Sequence, residues 1–291
     1  MKKKLVFTGS AAAIITPFRD DLFVNYDELG RIVEFQIENG TDAIVVCGTT
    51  GEASTMPDEE HLRVVKYVID KVAKRVPVIA GVGSNHTSHG VKLSLAAESY
   101  GADALLHVTP YYNKTSQKGL VEHFSAMANA VKIPIILYNV PSRTGMTIAP
   151  KTYRELAYIE NIVAAKEASG NFSAIATAMD LCGEDLQFYS GNDDQIVPMM
   201  ALGGKGVISV LANVRPKECK QLCDYALAGD FKNAARMQLE LMPLINGLFC
   251  DVNPIPVKEA MNLMGFAAGE CRPPLCGIDE DKRALLRELL F

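Results

Sequence analysis

Lys166 holds the most suggestive position for chemistry in this chain. It follows Ile162-Val163-Ala164-Ala165, so its amine is expected among apolar neighbours at the end of a buried strand. Burying an unpaired ammonium is costly, and a lysine so placed responds by titrating low. The neutral amine is a nucleophile toward carbonyls and forms Schiff bases. The plain alternative is a lysine that pairs with a carboxylate such as Glu167 or extends its head to solvent. Tyr138 closes an apolar run one repeat earlier, where its phenol could relay protons to an imine or simply fill an interior layer. Gly48-Thr49-Thr50-Gly51 gathers two hydroxyls and several backbone N–H groups on a tight turn, a nest that suits a carboxylate. Taken alone, that turn could equally serve backbone geometry.

These residues need elements to bring them together, and the chain supplies a regular set. Short apolar runs rich in Val and Ile recur roughly every 25 to 35 residues, as strands buried on both faces should. They are 11–15, 43–46, 78–81, 104–108, 135–138, 163–165, 186–189 and 206–210. Helical periodicity fills the gaps, for example over 26–39, 58–74 and 120–131. Thr55-Met56-Pro57-Asp58 reads as a helix start with a threonine cap. Eight strands, each followed by a helix, predict an α/β fold, a (β/α)8 TIM barrel, in which the active site lies at the C-terminal ends of the strands. The runner-up, a doubly wound open sheet, usually carries a glycine fingerprint after its first strand, and here Thr16-Pro17-Phe18 stands there. After about residue 215 the rhythm turns to helix only. The expected organisation is a single domain over 1–291, with the barrel over 1–224 and a C-terminal helical extension over 225–291.

Other chemistries fit less well. The 5 histidines avoid the ends of the last four strands, so no metal site is expected. His86 and His89 read as solvated or interface groups, His107 as a packing position and His123 as a surface one. Gly203-Gly204-Lys205-Gly206 precedes the last strand and reads as a tight turn on the opposite face. No phosphate-binding loop, nucleophile elbow or zinc-protease motif is present.

Composition narrows the class. Of 291 residues, 48% are hydrophobic and 22% charged, which suits a globular protein. A net charge of −5 gives no footprint for nucleic acid or anionic lipid. No apolar stretch reaches the roughly 20 residues that span a bilayer. The 7 cysteines are expected to be reduced thiols packed as small apolar groups. Lys2-Lys3-Lys4 before Leu5-Val6-Phe7 imitates an export signal, but Thr8-Gly9-Ser10 break the run, so a cytoplasmic chain is expected.

Together with Gly48-Thr49-Thr50-Gly51-Glu52, the segments 109–113, 138–145 and Lys166-Glu167-Ala168-Ser169 closely resemble the dihydrodipicolinate synthase family; 190–193 and Asn253-Pro254-Ile255-Pro256-Val257-Lys258 extend the likeness along essentially the whole chain. Tyr-x-x-Pro followed by a lysine one βα unit later marks the wider pyruvate-lyase superfamily; Arg143 with the Thr49-Thr50 pair is the synthase-specific part. The resemblance implies a lyase that condenses pyruvate with L-aspartate 4-semialdehyde through a Schiff base on Lys166, giving 4-hydroxy-tetrahydrodipicolinate for lysine and diaminopimelate biosynthesis. No cofactor beyond that covalent imine is implied. Tyr138, Thr50 and Tyr112 would form a proton relay, with Tyr112 entering from a neighbouring subunit. Thr49 and Thr50 would hold the pyruvate carboxylate, Arg143 the second substrate's carboxylate, and Gly191 and Ile208 would make backbone contacts near the imine. A homotetramer built from tight dimers is implied. Feedback-inhibited members bind L-lysine at positions matching Ala53, Asp58, His61, Asn85, His89 and Tyr111. Here Ala53, Asp58 and His89 replace a serine, a histidine and a glutamate, so lysine inhibition is expected to be weak or absent.

Two rivals remain. A pyruvate-releasing lyase of sialic or keto-deoxy sugar acids would want small polar groups where Arg143 stands. A catalytically dead relative would have lost the lysine or a relay hydroxyl, and all are present.

Overall fold

Strands that are apolar on both faces must be covered on both, and a parallel barrel inside a ring of helices does so without leaving an edge. The computed structural model, which describes residues 3–291, has this arrangement; Lys2 of the basic start lies outside the described residues. β1 (Gly9–Ala13), β2 (Ala43–Val46), β3 (Val78–Gly81), β4 (Ala104–Val108), β5 (Ile135–Asn139), β6 (Ile162–Glu167), β7 (Gln187–Ser190) and β8 (Gly206–Ser209) pair in sequence order, and β8 closes on β1. The fold is the (β/α)8 barrel expected from the repeat. The end of β6 is the consequential difference, because the strand continues through Lys166 and Glu167 instead of stopping before them.

The helices are α1 (Tyr26–Glu38), α2 (Asp58–Val72), α3 (Thr87–Ser99), α4 (Gln117–Ala130), α5 (Pro141–Thr144), α6 (Pro150–Leu156), α7 (Phe172–Cys182), α8 (Ile196–Ala201) and α9 (Pro216–Leu227) around the barrel. α10 (Phe231–Gly247), α11 (Ile255–Leu263) and α12 (Glu280–Leu290) follow them. Residues 224/225, the expected edge of the extension, fall inside α9, which packs on β1 and β8. α12 is an addition to the expected helices. Its Leu286 and Leu290 are buried, and the helix sits so close to α10 that a side chain at Gly247 would collide with Leu289. Thr55 does not cap α2. It ends a short 3-10 turn with its hydroxyl on the Glu52 carbonyl at 3.0 Å, and Pro57 takes the cap position. The acids Asp58, Glu59 and Glu60 still complement the dipole of the first turn.

The apolar residues sort into two nested cores, as alternation along barrel strands requires. Ala11, Val45, Ile79, Ile136 and Ile208 fill the interior, with Phe7 stacked on Tyr189 at 4.3 Å. Ala12, Ile44, Val46, Leu105 and Leu137 point outward into the helical ring.

Candidate active site

Lys166 reaches the barrel mouth because β6 is irregular. Ile135 pairs with Ile162 but Ile136 pairs with Ala164, so Val163 is an extra residue in β6. A bulge of this kind resets which face the following residues present. Beyond it Ala164 joins the interior beside Ile136, and Lys166 comes level with Tyr138. The Lys166 amine lies 4.3 Å from the centre of the Tyr138 ring, and the residue is 6% exposed. No carboxylate forms an ion pair with it among the described residues. Glu167, the partner weighed from sequence, is committed on the other face of the strand. It accepts from Asn139 Nδ2, from the Tyr153 hydroxyl at 2.8 Å and from the Ser169 amide at 2.8 Å. Burial and this carboxylate push the Tyr153 phenol well above its ordinary range, so it stays a donor.

Gly191 supplies the space around the lysine. A Cβ there would stand 3.2 Å from Lys166 Cε and 2.8 Å from Ala168 Cβ, so only glycine fits at this crossing. Ile208 is fully buried on β8 beside this region. Asp193, just beyond β7, is buried and accepts from the amides of Val210 and Leu211 at 3.0 and 2.9 Å. Burial pushes its carboxyl up, an effect opposed by these hydrogen bonds and by the charge of Lys166.

The loop after β2 carries two free donors. The amides of Gly51, Glu52 and Ala53 close the turn onto Gly48 and Thr49 carbonyls, whereas those of Thr49 and Thr50 have no acceptor among the described residues. Thr50 is buried, and its hydroxyl oxygen accepts from Asn253 Nδ2 at 3.1 Å. Glu52 takes a left-handed backbone (φ 54°) and turns its carboxylate inward onto Lys258 Nζ at 2.8 Å. Arg143, on α5, donates to the Asn253 carbonyl at 2.9 Å. Arg143, Tyr138, Val140 and Thr49 line one cavity of about 350 Å³.

The same cavity continues to the candidate regulatory positions. Ala53, Asp58, His61, His89 and Tyr111 line it, and Asn85 adjoins through a bond from its side chain to the Tyr111 carbonyl. Asp58 is already occupied, with His89 Nε2 at 2.8 Å and Lys92 Nζ at 3.1 Å, and these bonds hold its carboxyl below the usual range. His89 Nδ1 meets Ser84 Oγ at 3.0 Å. His61 contacts the Gly81 carbonyl at 2.8 Å, and burial pulls its pKa down.

Tyr112 is the one candidate that this chain does not bring to its own mouth. It is 93% exposed and held at φ 68°, projecting outward from the loop after β4. His107 is a packing residue, as expected, with Ser94 on its Nε2. His123 corrects the surface reading: it is 5% exposed on the inner side of α4, with Nδ1 2.8 Å from the Thr87 hydroxyl. Its place among Leu120, Phe124 and Met127 puts it on the helix's apolar stripe. Five cysteines are buried as small apolar groups, but Cys276 is exposed and Cys250 partly so. Asn253, Glu52 and Asp193 were not singled out from sequence. Asn253 lies 203 residues from Thr50, so no spacing rule could join them; the unusual run Asn253-Pro254-Ile255-Pro256 was the only signal.

The likeness to known proteins covers this whole arrangement. The model of the Dihydrodipicolinate synthetase family matches residues 6–290. The 4-hydroxy-tetrahydrodipicolinate synthase of Caldicellulosiruptor bescii is 58% identical, over 98% of this chain and 96% of its own. The crystal structure of dihydrodipicolinate synthase from Aquifex aeolicus superposes with a TM-score of 0.96 at 47% identity, covering 98% of this chain and 97% of that one. A chloride-inhibited dihydrodipicolinate synthase from Acinetobacter baumannii, solved with pyruvate, reaches 0.95 at 44% identity over 97% of each chain. Likeness of this extent includes the strand ends and loops that build the mouth as well as the barrel that carries them. The chain belongs to the dihydrodipicolinate synthetase family.

Proposed function

We propose that this chain condenses pyruvate with L-aspartate 4-semialdehyde to form 4-hydroxy-tetrahydrodipicolinate, the lyase reaction that feeds lysine and diaminopimelate biosynthesis. The observation that carries the reading is a buried lysine amine without a carboxylate partner, set over Tyr138 at a mouth that also holds free amides and an arginine.

The Lys166 amine, after giving up a proton, adds to the pyruvate carbonyl carbon, and water leaves to give an imine. Loss of a methyl proton then yields an enamine, with the protonated imine as electron sink, so no separate cofactor is required. The enamine carbon attacks the aldehyde, whose oxygen takes up a proton. The substrate's own amine then adds to the imine carbon and expels Lys166, which closes the ring. Tyr138 is positioned to pass protons at the imine, with Thr50 next in the relay and Tyr112 entering from a neighbouring subunit. The unclaimed amides of Thr49 and Thr50 suit the pyruvate carboxylate. Arg143 offers a planar fork for the semialdehyde carboxylate, which a polyhydroxylated sugar acid would not need. Gly191 leaves room beside Lys166, and the backbone of Gly191 and Ile208 would contact the imine.

The outward projection of Tyr112 supports a homo-oligomer in which subunits exchange this residue, and we read it as a tetramer built from tight dimers. No helix among the described residues is long and apolar enough to cross a membrane. Free thiols fit a reducing compartment, the cytoplasm. Borohydride reduction in the presence of pyruvate, followed by peptide mass analysis, tests the mechanism. A reduced pyruvyl adduct on Lys166 is expected, and an adduct on any other lysine overturns it. Sedimentation velocity at micromolar concentration tests the assembly, with a monomer contradicting it.

A further inference from the structure

We infer that Asn253 is a positioning residue for this condensation, setting the direction of the Thr50 hydroxyl and the seat of the Arg143 guanidinium at once. Three observations carry it. Asn253 Nδ2 donates to Thr50 Oγ1 at 3.1 Å, the backbone carbonyl of Asn253 accepts from Arg143 Nη2 at 2.9 Å, and Asn253 is only 6% exposed while its side-chain oxygen has no partner. Buried amides kept for packing are normally saturated with hydrogen bonds. This one is left half satisfied, with its single side-chain bond spent on the hydroxyl.

The consequence for Thr50 is directional. A hydroxyl has one proton to give and two lone pairs to receive with. Because Asn253 occupies a lone pair, the Thr50 proton is free to point away from the amide and into the relay. Arg143 is long and flexible, and anchoring one of its nitrogens on a backbone carbonyl leaves the remaining donors arranged for a carboxylate. Asn253 is itself held from both sides. Ile255 N donates to Val252 O at 2.9 Å, and one turn further along α11 the buried Lys258–Glu52 pair ties the same segment to the loop that carries Thr50. The helical extension thus acts as the jig for two groups that lie on different barrel loops.

The inference rests on the proposed condensation, and the test separates the two. Steady-state kinetics with both substrates compare the unaltered chain, Asn253→Leu, Thr50→Val and the double variant, with thermal melts and borohydride trapping of pyruvate alongside. Absence of product from the unaltered chain would defeat the condensation reading, whatever Asn253 does. Given product, Asn253→Leu keeps the backbone carbonyl and removes the donor. It should lower kcat about 10-fold or more, leave KM for the semialdehyde within about 3-fold, and still form the Lys166 adduct. The double variant should be no slower than Thr50→Val alone, because one residue acts through the other. A kcat within about 2-fold of the unaltered chain, or losses that multiply in the double variant, overturns the inference. Should the leucine variant fail to fold, Asn253→Asp, matched in size but unable to donate when ionised, is judged by the same two criteria.

Discussion

Lys166 and Lys258 are both buried, and both heads lie over an aromatic ring, 4.3 Å from the centre of Tyr138 and 4.0 Å from that of Phe18. Their surroundings differ in one respect. Lys258 meets Glu52 at 2.8 Å and donates to the Glu270 carbonyl at 2.9 Å, in a pair whose side chains are 2% and 1% exposed. Burial pulls the Lys258 ammonium down and the Glu52 charge pulls it back up. Lys166 forms no direct ion pair among the described residues: Glu167 faces the outer core, and Asp193, which feels the lysine's charge, accepts from the amides of Val210 and Leu211 through one oxygen. A satisfied pair makes a brace between the loop after β2 and α11, whereas the Lys166 amine, with no ion pair, lies over Tyr138, a residue that lines the cavity. Burial alone does not distinguish the two settings; the direct ion pair does.

The contrast can be broken in several ways. The largest effect is expected at the unpaired lysine, where Lys166→Ala should cut turnover about 10,000-fold and abolish the borohydride adduct, with no loss of melting temperature. An adduct that persists would place the chemistry elsewhere. The paired lysine should show the reverse. Lys258→Met leaves the buried Glu52 carboxylate with the Arg272 amide but no paired cation, at a cost of about 3 to 5 kcal/mol in unfolding free energy, and adding Glu52→Gln should restore part of it. Denaturant unfolding of the single and double variants measures this; equal stability would mean that the pair is no brace. Arg143→Ala removes the fork at the mouth and should lower kcat/KM for the semialdehyde about 100-fold, or about 2.7 kcal/mol, while the pyruvate adduct still forms.

Acid should weaken the fold as a whole. Burial holds His107 down to about 3 and His123 down to about 4, from an ordinary value of 6.5. Below pH 6.5 the unfolded chain therefore takes up protons that the folded chain refuses until pH 4 to 3. Stability is complete above 6.5 and declines as pH falls toward 4, by about 1.4 kcal/mol per unit for each histidine. Melting curves at pH 7.5 and pH 5 should show the decline, and His107→Gln should remove about half of it. The smallest effect is expected from free L-lysine. Asp58 is engaged by His89 and Lys92, and among the described residues no other acid lines that cavity, so half-inhibition should require millimolar lysine or more. Half-inhibition well below millimolar would show that the pocket still reads lysine.

Much of this architecture was legible in the chain. The spacing of Val- and Ile-rich runs identified all eight strands, and the ends of β2, β5 and β6 pointed to Thr49, Thr50, Tyr138 and Lys166 as neighbours at one mouth. α12 escaped notice because its leucines sit amid charges, and Leu286, Leu289 and Leu290 find their cover on elements distant in sequence, α10 among them. His123 was misplaced because a histidine on an apolar stripe looks the same in sequence whether that stripe is covered or bare. Thr55 has the composition of a cap, yet the 3-10 turn before α2 draws its hydroxyl backward to Glu52.

The chain alone determined the barrel, because runs of that length and composition can hide both faces only when helices of matching period wrap them. It also determined that a lysine would end the sixth run. Tertiary structure decided what that lysine could do. The run Ile162-Val163-Ala164-Ala165 has no period from which a facing direction can be read, and the extra residue at Val163, visible only in the pairing with β5, turns Lys166 toward Tyr138 instead of into the outer core. Likewise, nothing local in Asn253-Pro254 announces a partner 203 residues away. Local sequence carries periodicity; register and long-range pairing arise only when separate strands and loops settle against one another.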